Sequence, residues 1–463
     1  MERNNAWAAY AGDDGRVEAF AKAYCDFINN GKTERECVAY GEKLAKAHGF
    51  EDLNAVVRSG KKLEAGARVY VNWMGKSFML FVLGQKPLEE GMNILGAHID
   101  SPRIDVKQNP LYEDTDLAYL DTHYYGGIKK YQWVAMPLAL HGVIVKKSGE
   151  KVMINIGEDE SDPVFCISDL LIHLAQEQMA KNAKDVVEGE ALNLIVGGKP
   201  LAGEEKDAVK ANVLKLLEYK YGVEEEDFLS AELEIVPAGK ARDMGFDRSM
   251  ILGYGHDDRV CAYPSMMAVL DYEGTPDYTL CCIITDKEEI GSVGATGMAS
   301  HYLENTVAEL YACTADYCEL AVRRCLRNSR MLSSDVSAGY DPNFASAFEK
   351  KNSAFLGRGI CFNKFTGSRG KSGSNDANPE FMASLRKIMD DAGVAFQTAE
   401  LGRVDLGGGG TIAYLCAKYG MNVIDSGIAV LSMHAPYEII SKVDLYEGYR
   451  CYCTFLKNAK PVD

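Results

Sequence analysis

The chain has 463 residues, more than one hydrophobic core usually supports, so we expect two domains. Hydrophobic residues make up 47% and charged residues 25% of the sequence, as in soluble globular proteins, and no apolar run approaches the roughly 20 residues of a membrane-spanning helix. The formal net charge of −17 argues against a nucleic-acid partner, because phosphate binding requires clustered Lys and Arg.

The compartment can be predicted from the N-terminal segment and the cysteines. The segment that follows Met1 lacks the apolar core of a secretory signal. Thirteen cysteines without framework spacing, two of them in the apolar pair Cys281–Cys282, indicate free thiols in a reducing compartment. We therefore predict a cytoplasmic protein.

The N-terminal region is predicted to contain helices followed by strands. Apolar residues at helical spacing predict two helices between Arg16 and Gly49. The pattern changes to strands from Arg68 to Leu83, and the segment 93–98 is typical of a short buried strand. That strand ends on a polar residue, His98, at its carboxyl end.

The next section differs in composition and is predicted to be an inserted domain. It contains strand patterns at 141–146, 151–156 and 231–236, a helix from about Ser168 to Asn182, and an amphipathic helix at about 209–221. We interpret residues 105–244 as an α+β domain inserted into a first domain that consists of 1–104 and 245–463.

The remaining sequence alternates strands with helices. A helix is predicted from Val260 to Leu270 and another through Gly294–Leu303, with strand segments at 278–285, 309–313 and 423–425. Such alternation predicts an α/β fold with a mostly parallel, doubly wound sheet. Ligands of these sheets gather beyond the carboxyl ends of the strands.

Glu288 and Glu289 stand shortly after one predicted strand, 278–285. Neighbouring side chains of an extended segment point in opposite directions, so one glutamate could bind a metal while the other moves protons. Taken alone, two adjacent glutamates are usually charged residues exposed to solvent.

Four further segments supply potential metal ligands, each a weak signal by itself. They contain His98 with Asp100, Asp257 with Asp258, Asp335, and His434. A carboxylate can bridge two cations about 3.5–4 Å apart, as a two-metal site requires. The plainer alternatives are a structural histidine at position 98 and an acidic loop paired with Arg259.

Two glycine-containing segments resemble phosphate-binding loops. Gly370–Ser372 has the end of such a loop, but Phe365 stands where the first glycine is needed. Gly407–Gly410 with Thr411 precedes a predicted helix and could hold an anion on backbone N–H groups, or could be a purely structural turn.

Together these segments resemble the ordered motifs of the M18 family of metallopeptidases, the aspartyl aminopeptidase group. The resemblance extends over nearly the whole chain, from the His98-Ile-Asp100-Ser-Pro102 motif to Ser432-Met-His434, and includes the long insertion. The shorter M42 glutamyl aminopeptidases share the two-metal logic, but the length and these two motifs favour M18.

The resemblance implies a role for each residue of the site. Asp257 would bridge two divalent ions, expected to be zinc, with cobalt or manganese as alternatives. His98 and Asp335 would hold one ion, and Glu289 and His434 the other. Glu288 would be the general base and acid, and Asp100 would orient His98.

The resemblance also implies an activity and an assembly. The activity is removal of N-terminal residues from peptides, and the assembly is a homo-oligomer of dimers that form a dodecamer, with dimer contacts in the inserted domain. Two alternatives stay open: a metal-dependent hydrolase of other amides, and a catalytically silent assembly protein.

Three residues are predicted to take part in substrate binding. We name Asp169, Gly409 and Thr411 as candidates. The family pattern leads us to expect a histidine where Asp169 stands, and an acid there would disfavour an acidic substrate side chain if it faces the pocket. The segment 364–378 also departs from the family pattern, so acidic and neutral preferences both stay open.

Overall fold

The computed structural model describes residues 4–367 and 370–462 and divides into two compact units. The first comprises Met1–Asp100, Ala241–Met433 and Glu438–Asp463, and the second comprises Ser101–Lys240 and His434–Tyr437. Among the residues described, no helix combines the length and the apolar character needed to cross a bilayer.

The strands and helices are numbered in chain order. The strands are β1 (Glu51–Asp52), β2 (Arg68–Trp73), β3 (Ser77–Val82), β4 (Met92–His98), β5 (Arg103–Asp114), β6 (Leu117–Tyr125), β7 (Leu138–Val145), β8 (Lys151–Ile156), β9 (Leu194–Gly197), β10 (Ala231–Pro237), β11 (Arg242–Met244), β12 (Met250–Gly253), β13 (Thr279–Thr285), β14 (Arg330–Ser333), β15 (Ser337–Ala338), β16 (Ile360–Asn363), β17 (Phe396–Thr398), β18 (Asn422–Gly427), β19 (Ala429–Leu431) and β20 (Glu438–Ser441). The helices are α1 (Gly15–Asn30), α2 (Glu34–Ala47), α3 (Leu53–Ser59), α4 (Gln176–Met179), α5 (Ala208–Tyr221), α6 (His256–Leu270), α7 (Tyr302–Thr314), α8 (Glu319–Asn328), α9 (Pro379–Asp391), α10 (Ala413–Ala417) and α11 (Lys442–Asn458).

A nine-stranded sheet forms the centre of the first unit, in the order β1-β2-β3-β13-β4-β14-β18-β16-β17. Its four middle strands, β13, β4, β14 and β18, are all parallel. By contrast, β2 and β3 pair antiparallel, because only a three-residue turn joins them. The predicted α/β fold with a mostly parallel sheet is confirmed.

Both faces of this sheet are covered by apolar side chains. Along β13, Leu280 and Cys282 belong to one hydrophobic cluster, whereas Cys281 and Ile283 belong to the other. All four are fully buried. Alternating side chains therefore pack into two separate cores, which explains why this strand reads as a continuous apolar run.

The two predicted N-terminal helices are present as α1 and α2. The start of α2 is fixed by a capping box: the hydroxyl of Thr33 accepts the N–H of Glu36, and the carboxylate of Glu36 accepts the N–H of Thr33. The first unit also contains a five-stranded sheet in the order β11-β12-β20-β19-β15.

The second unit is built on a six-stranded sheet in the order β8-β7-β10-β5-β6-β9. All its neighbouring strands are antiparallel. Helix α5 is present where the amphipathic pattern predicts it, and ends at Gly222 in the left-handed conformation (φ +62°) that glycine adopts readily.

Three local predictions are wrong. The segment 168–182 is not one long helix: it contains a 3₁₀ turn at Ile172–Leu174 and the single-turn helix α4. The segment 309–313 is not a strand, because it lies inside α7. The helix predicted through Gly294–Leu303 is absent over most of that range, because α7 begins only at Tyr302. Short apolar runs are compatible with both kinds of element, and tertiary packing decides between them.

Candidate metal centre

Three elements of the nine-stranded sheet end next to one another at the candidate site. Strand β4 ends at His98 and lies between β13 and β14, which are both parallel to it. Glu288 and Glu289 follow β13 in a 3₁₀ turn, and Asp335 follows β14. Asp257 comes from the start of α6. Because parallel strands end at the same edge, four separate segments converge here.

The imidazole of His98 is the common member of two groups of potential ligands. Its Nε2 lies 3.2 Å from Oδ1 of Asp257 and 3.9 Å from Oδ1 of Asp335. The same nitrogen lies 4.0 Å from Oε2 of Glu288. The two groups, each with ligand atoms within 4.8 Å of one another, are His98 with Asp257 and Glu289, and His98 with Glu288 and Asp335.

This set of donor atoms fits a divalent cation. His98 is only 1% exposed, and its Nε2 forms no hydrogen bond with the part of the chain that is described. Imidazole nitrogen and carboxylate oxygen are ligands that zinc, cobalt and manganese accept. Carboxylates packed this closely repel one another unless a cation lies between them. The predicted ligands His98, Asp257, Glu289 and Asp335 are thus brought together.

The ionisation of the site reflects the same crowding. Burial, and then the nearby charge of Glu288, hold the pKa of Asp335 well above its ordinary value. Burial lowers the pKa of His98, but the neighbouring carboxylates of Asp100 and Asp257 outweigh this effect and raise that pKa well above the ordinary value. A bound cation would take the place of these protons, since metal ligands must be deprotonated.

Asp100 connects the histidine with the glutamate turn. The Nδ1 atom of His98 lies 2.9 Å from the carbonyl oxygen of Asp100 and 3.3 Å from its Oδ1. The two carboxylate oxygens of Asp100 accept the backbone N–H groups of Glu288, at 3.1 Å, and Glu289, at 3.2 Å. One buried carboxylate therefore orients the imidazole, as metal-site histidines require, and holds both glutamates.

Asp286 and Lys287 shape the glutamate turn, a role that the sequence did not indicate. Lys287 has a left-handed backbone (φ +67°), and its Nζ lies 3.2 Å from Oδ2 of Asp286. The hydroxyl of Thr296 donates to the same oxygen at 2.6 Å. Burial raises the pKa of Asp286 to about 6. The signal in the sequence was an acidic residue, Asp286, placed immediately after an apolar strand segment.

Asp258 and Glu438 support the other side of the site; the sequence indicated Asp258 only as a potential metal ligand and did not indicate Glu438. The backbone N–H of His98 donates to Oδ2 of Asp258 at 3.3 Å. The backbone N–H of Asp257 donates to Oε2 of Glu438 at 3.0 Å. Both acids are almost fully buried, so each fixes the backbone of a candidate ligand.

His434 is placed differently from the other candidate ligands. It belongs to the second compact unit, and none of the ligand groups found among the described residues contains it. Its Nδ1 lies 2.9 Å from the carbonyl oxygen of Gly127, which leaves Nε2 as the nitrogen on the far side of the ring. Its role as a metal ligand stays a prediction.

The three candidate substrate-binding residues also lie outside the ligand groups. Asp169 is exposed, and its Oδ1 accepts the N–H of Leu170 at 2.8 Å and Nε2 of Gln178 at 2.9 Å. Gly409 is exposed. The hydroxyl of Thr411 donates to Asp425 at 2.5 Å. Their roles in substrate binding stay predictions.

The glycine segments show a structural role at one position. A Cβ atom at Gly407 would lie 1.6 Å from the carbonyl oxygen of Leu401, so only glycine fits there. The helix that follows, α10, has only five residues. Within the atypical segment 364–378, positions 368 and 369 lie outside the described residues.

Comparison with known proteins gives consistent matches over the whole chain. A family model described as "Aminopeptidase I zinc metalloprotease (M18)" matches residues 27–456. A Clostridium acetobutylicum protein described as a probable M18 family aminopeptidase 1 is 58% identical over 461 residues, which cover 99% of this chain and 98% of that protein.

Solved structures agree with the sequence matches. The crystal structure of an M18 family aminopeptidase from Thermotoga maritima superposes with a TM-score of 0.94 at 42% identity, and covers 99% of this chain and 100% of that one. The S. cerevisiae mApe1 dodecamer has a TM-score of 0.77 at 21% identity, with 96% and 97% of the two chains covered, and shows similarity of fold.

Proposed function

This chain belongs to the M18 family of zinc metallopeptidases and is an aminopeptidase of that family; from this premise we propose that it removes N-terminal residues from peptides with two divalent ions. The observation that carries the proposal is the position of His98 Nε2, which faces three carboxylates from three different segments. Zinc is the proposed metal, with cobalt and manganese as the alternatives that such ligands accept.

The proposed ligand set divides between the two ions. His98 and Asp335 would hold one ion and Glu289 and His434 the other, with Asp257 shared between them. The two ligand groups around His98 support all of these residues except His434. When bound, the ions would supply Lewis acidity, which lowers the pKa of water and polarises a peptide carbonyl.

Glu288 is the proposed general base and acid. It is half-buried, and its backbone N–H is held by Asp100. In this role its carboxylate accepts a proton from the attacking water and then donates that proton to the leaving amine. Asp100 keeps His98 in the orientation that directs Nε2 into the site.

A panel of aminoacyl-p-nitroanilides tests this function. Protein stripped of metal is reconstituted with zinc, cobalt or manganese and assayed on substrates with free and with acetylated amino groups. Metal-dependent cleavage of the free-amine substrates alone is the expected result, and the panel also gives the preferred side chain, acidic or neutral. Cleavage of acetylated substrates would indicate an amide hydrolase of another kind, and no cleavage by folded, metal-loaded protein would indicate a silent assembly protein.

We further propose a homo-oligomer assembled from dimers through the domain 105–244, with 1–104 and 245–463 as the catalytic domain. Apolar side chains that are about half exposed or more support a contact surface in the second unit: Leu170, Leu171, Ile172, Leu174 and Met179. The S. cerevisiae mApe1 structure is a dodecamer, and an assembly of that kind is consistent with the proposal.

Light scattering after size exclusion tests the assembly. Ile172→Asp is expected to lower the measured mass, because it places a charge in the proposed contact. Leu229→Asp is the matched control, since Leu229 is an exposed apolar residue of the same unit outside that segment. An unchanged mass for Ile172→Asp would remove this segment from the interface. The cytoplasm is the proposed location, as the thirteen cysteines are all free thiols.

A further inference from the structure

A polar cavity of about 360 Å³ lies at the amino end of the central strands, away from the edge that bears His98. Arg330, the first residue of β14, is paired with Asn93 of β4 and Asn422 of β18. The cavity is lined by polar side chains and the C-terminal segment, among them Glu90, Arg327, Asn328, Ser329, Arg330 and Asn422.

Arg330 is a buried cation without an acidic partner. It is 2% exposed, and no ion pair joins it to a carboxylate among the residues that the structure describes. Its Nε donates to the side-chain oxygen of Asn93, and its Nη1 lies 3.4 Å from the carbonyl oxygen of Asn328. Its Nη2 has no hydrogen-bond partner in the described part of the chain. Burying a guanidinium without a carboxylate partner is costly.

The surroundings add positive charge. The ring of Tyr278 contacts two cations, with Cζ of Arg330 4.1 Å and Nζ of Lys86 4.4 Å from its centroid. Arg327 is exposed on the cavity wall, and its Nε donates to Asn328. The carboxylate that lines the cavity, that of Glu90, lies 3.2 Å from Lys86. Among the residues that the structure describes, the guanidinium groups of Arg327 and Arg330 therefore have no carboxylate partner, in a protein of net charge −17.

We propose that this cavity binds an oxyanion, specifically a phosphate group. Guanidinium groups form short, paired hydrogen bonds to phosphate and carboxylate oxygens, and two guanidinium groups favour the more highly charged phosphate. Asn422 accepts a hydrogen bond from Asn378 through its oxygen at 2.8 Å, which leaves its amide N–H groups as donors. The walls thus offer donors and positive charge, and the acid that lines them is paired with Lys86.

Calorimetric titration of the zinc-loaded enzyme with inorganic phosphate tests the site. Arg327→Met is the main variant, because Arg327 is exposed and its loss spares the fold. Arg324→Met is the matched control: Arg324 lies on the same helix, is also exposed, and does not line the cavity. Any phosphate bound at the active site is common to all three proteins, so their difference reports on the cavity.

We expect the wild type to bind phosphate, Arg327→Met to bind it about tenfold more weakly or worse, and Arg324→Met to match the wild type. Equal binding by all three proteins would overturn the proposal, as would no binding by the wild type. Acetate serves as the planar alternative: a weaker response than to phosphate is expected, and an equal or tighter one would overturn the assignment of phosphate.

Discussion

The two ends of the central sheet carry opposite excesses of charge on the same strands. At the carboxyl end, β4 and β14 place His98 among the carboxylates of Asp257 and Asp335. At the amino end, β14 begins with Arg330, a buried guanidinium without an acidic partner among the described residues. Burying charge is costly unless it is compensated, so an unmatched excess at a sheet edge marks a binding site and its sign indicates the ligand's charge.

The largest effect is expected from Glu288→Gln at the carboxyl end. The amide cannot accept the proton of water, so we expect kcat to fall by about 10²–10⁴-fold. Because Glu288 is assigned no metal, the zinc content measured by mass spectrometry should be unchanged. Loss of both ions in this variant would make Glu288 a ligand and remove it as the base.

Asp257→Asn tests whether the acidic excess holds the cations. Removal of the shared ligand is expected to lower the metal affinity of both sites by at least about 100-fold. That is the upper end of the loss seen when a residue that only hydrogen-bonds to a metal ligand is replaced. Zinc content is measured after dialysis against a chelator, with Asp277→Asn as an exposed control that keeps both ions. Retention of two ions by Asp257→Asn would contradict the bridging role.

Asp100→Asn separates orientation from metal binding. An amide has one acceptor oxygen, so the variant can keep only one of the bonds to the N–H groups of Glu288 and Glu289. We expect kcat to fall by about 10–100-fold, as for other partners that orient metal ligands, with little change in KM. A raised KM at unchanged kcat would place Asp100 in substrate binding instead.

Asp425→Asn is expected to change the dependence of stability on pH. Burial raises the pKa of Asp425 from 3.8 to about 7. A raised pKa in the folded state gives stability that is complete below pH 3.8 and is lost as the pH rises through about 7. Between pH 5 and pH 8 the free energy of unfolding of the wild type should therefore fall by about 2–3 kcal/mol through this group. The neutral Asn variant should not show this fall.

Urea unfolding at pH 5 and pH 8 measures this difference. The variant retains an oxygen that accepts the Thr411 hydroxyl, so the comparison isolates the ionisation. Glu205→Gln, an exposed acid, should show the wild-type dependence. If the free energy of unfolding falls as much in Asp425→Asn as in the wild type, Asp425 does not titrate between these pH values.

The sequence predicted the convergence at the carboxyl end because the signals there are local. His98, Glu288 and Asp335 each follow a short apolar segment, and the parallel sheet brings such positions to one edge. The backbone support could not be predicted in the same way. That Asp100 accepts two N–H groups from residues 288 and 289 depends on a contact between segments distant in sequence.

The polar cavity at the amino end of the central strands was not predicted from the sequence, for a similar reason. Arg330 is an ordinary arginine in the sequence, and its burial follows from the register between β4, β14 and β18. Segment 168–182 shows the opposite case, a strong local pattern without the expected helix. Its apolar side chains stay exposed within the second unit, so packing does not supply the stability that a long helix requires.

The hydrogen bonds of Asp100 have a consequence for metal exchange. They join protein groups to one another, so they do not depend on the ions. The metal-binding site is therefore preorganised. His98 and the turn that contains Glu288 and Glu289 are already ordered before an ion binds. We expect the metal-free enzyme to stay folded, with its metal-binding residues in place. Activity should return when metal is added, at a rate set by metal binding and not by refolding.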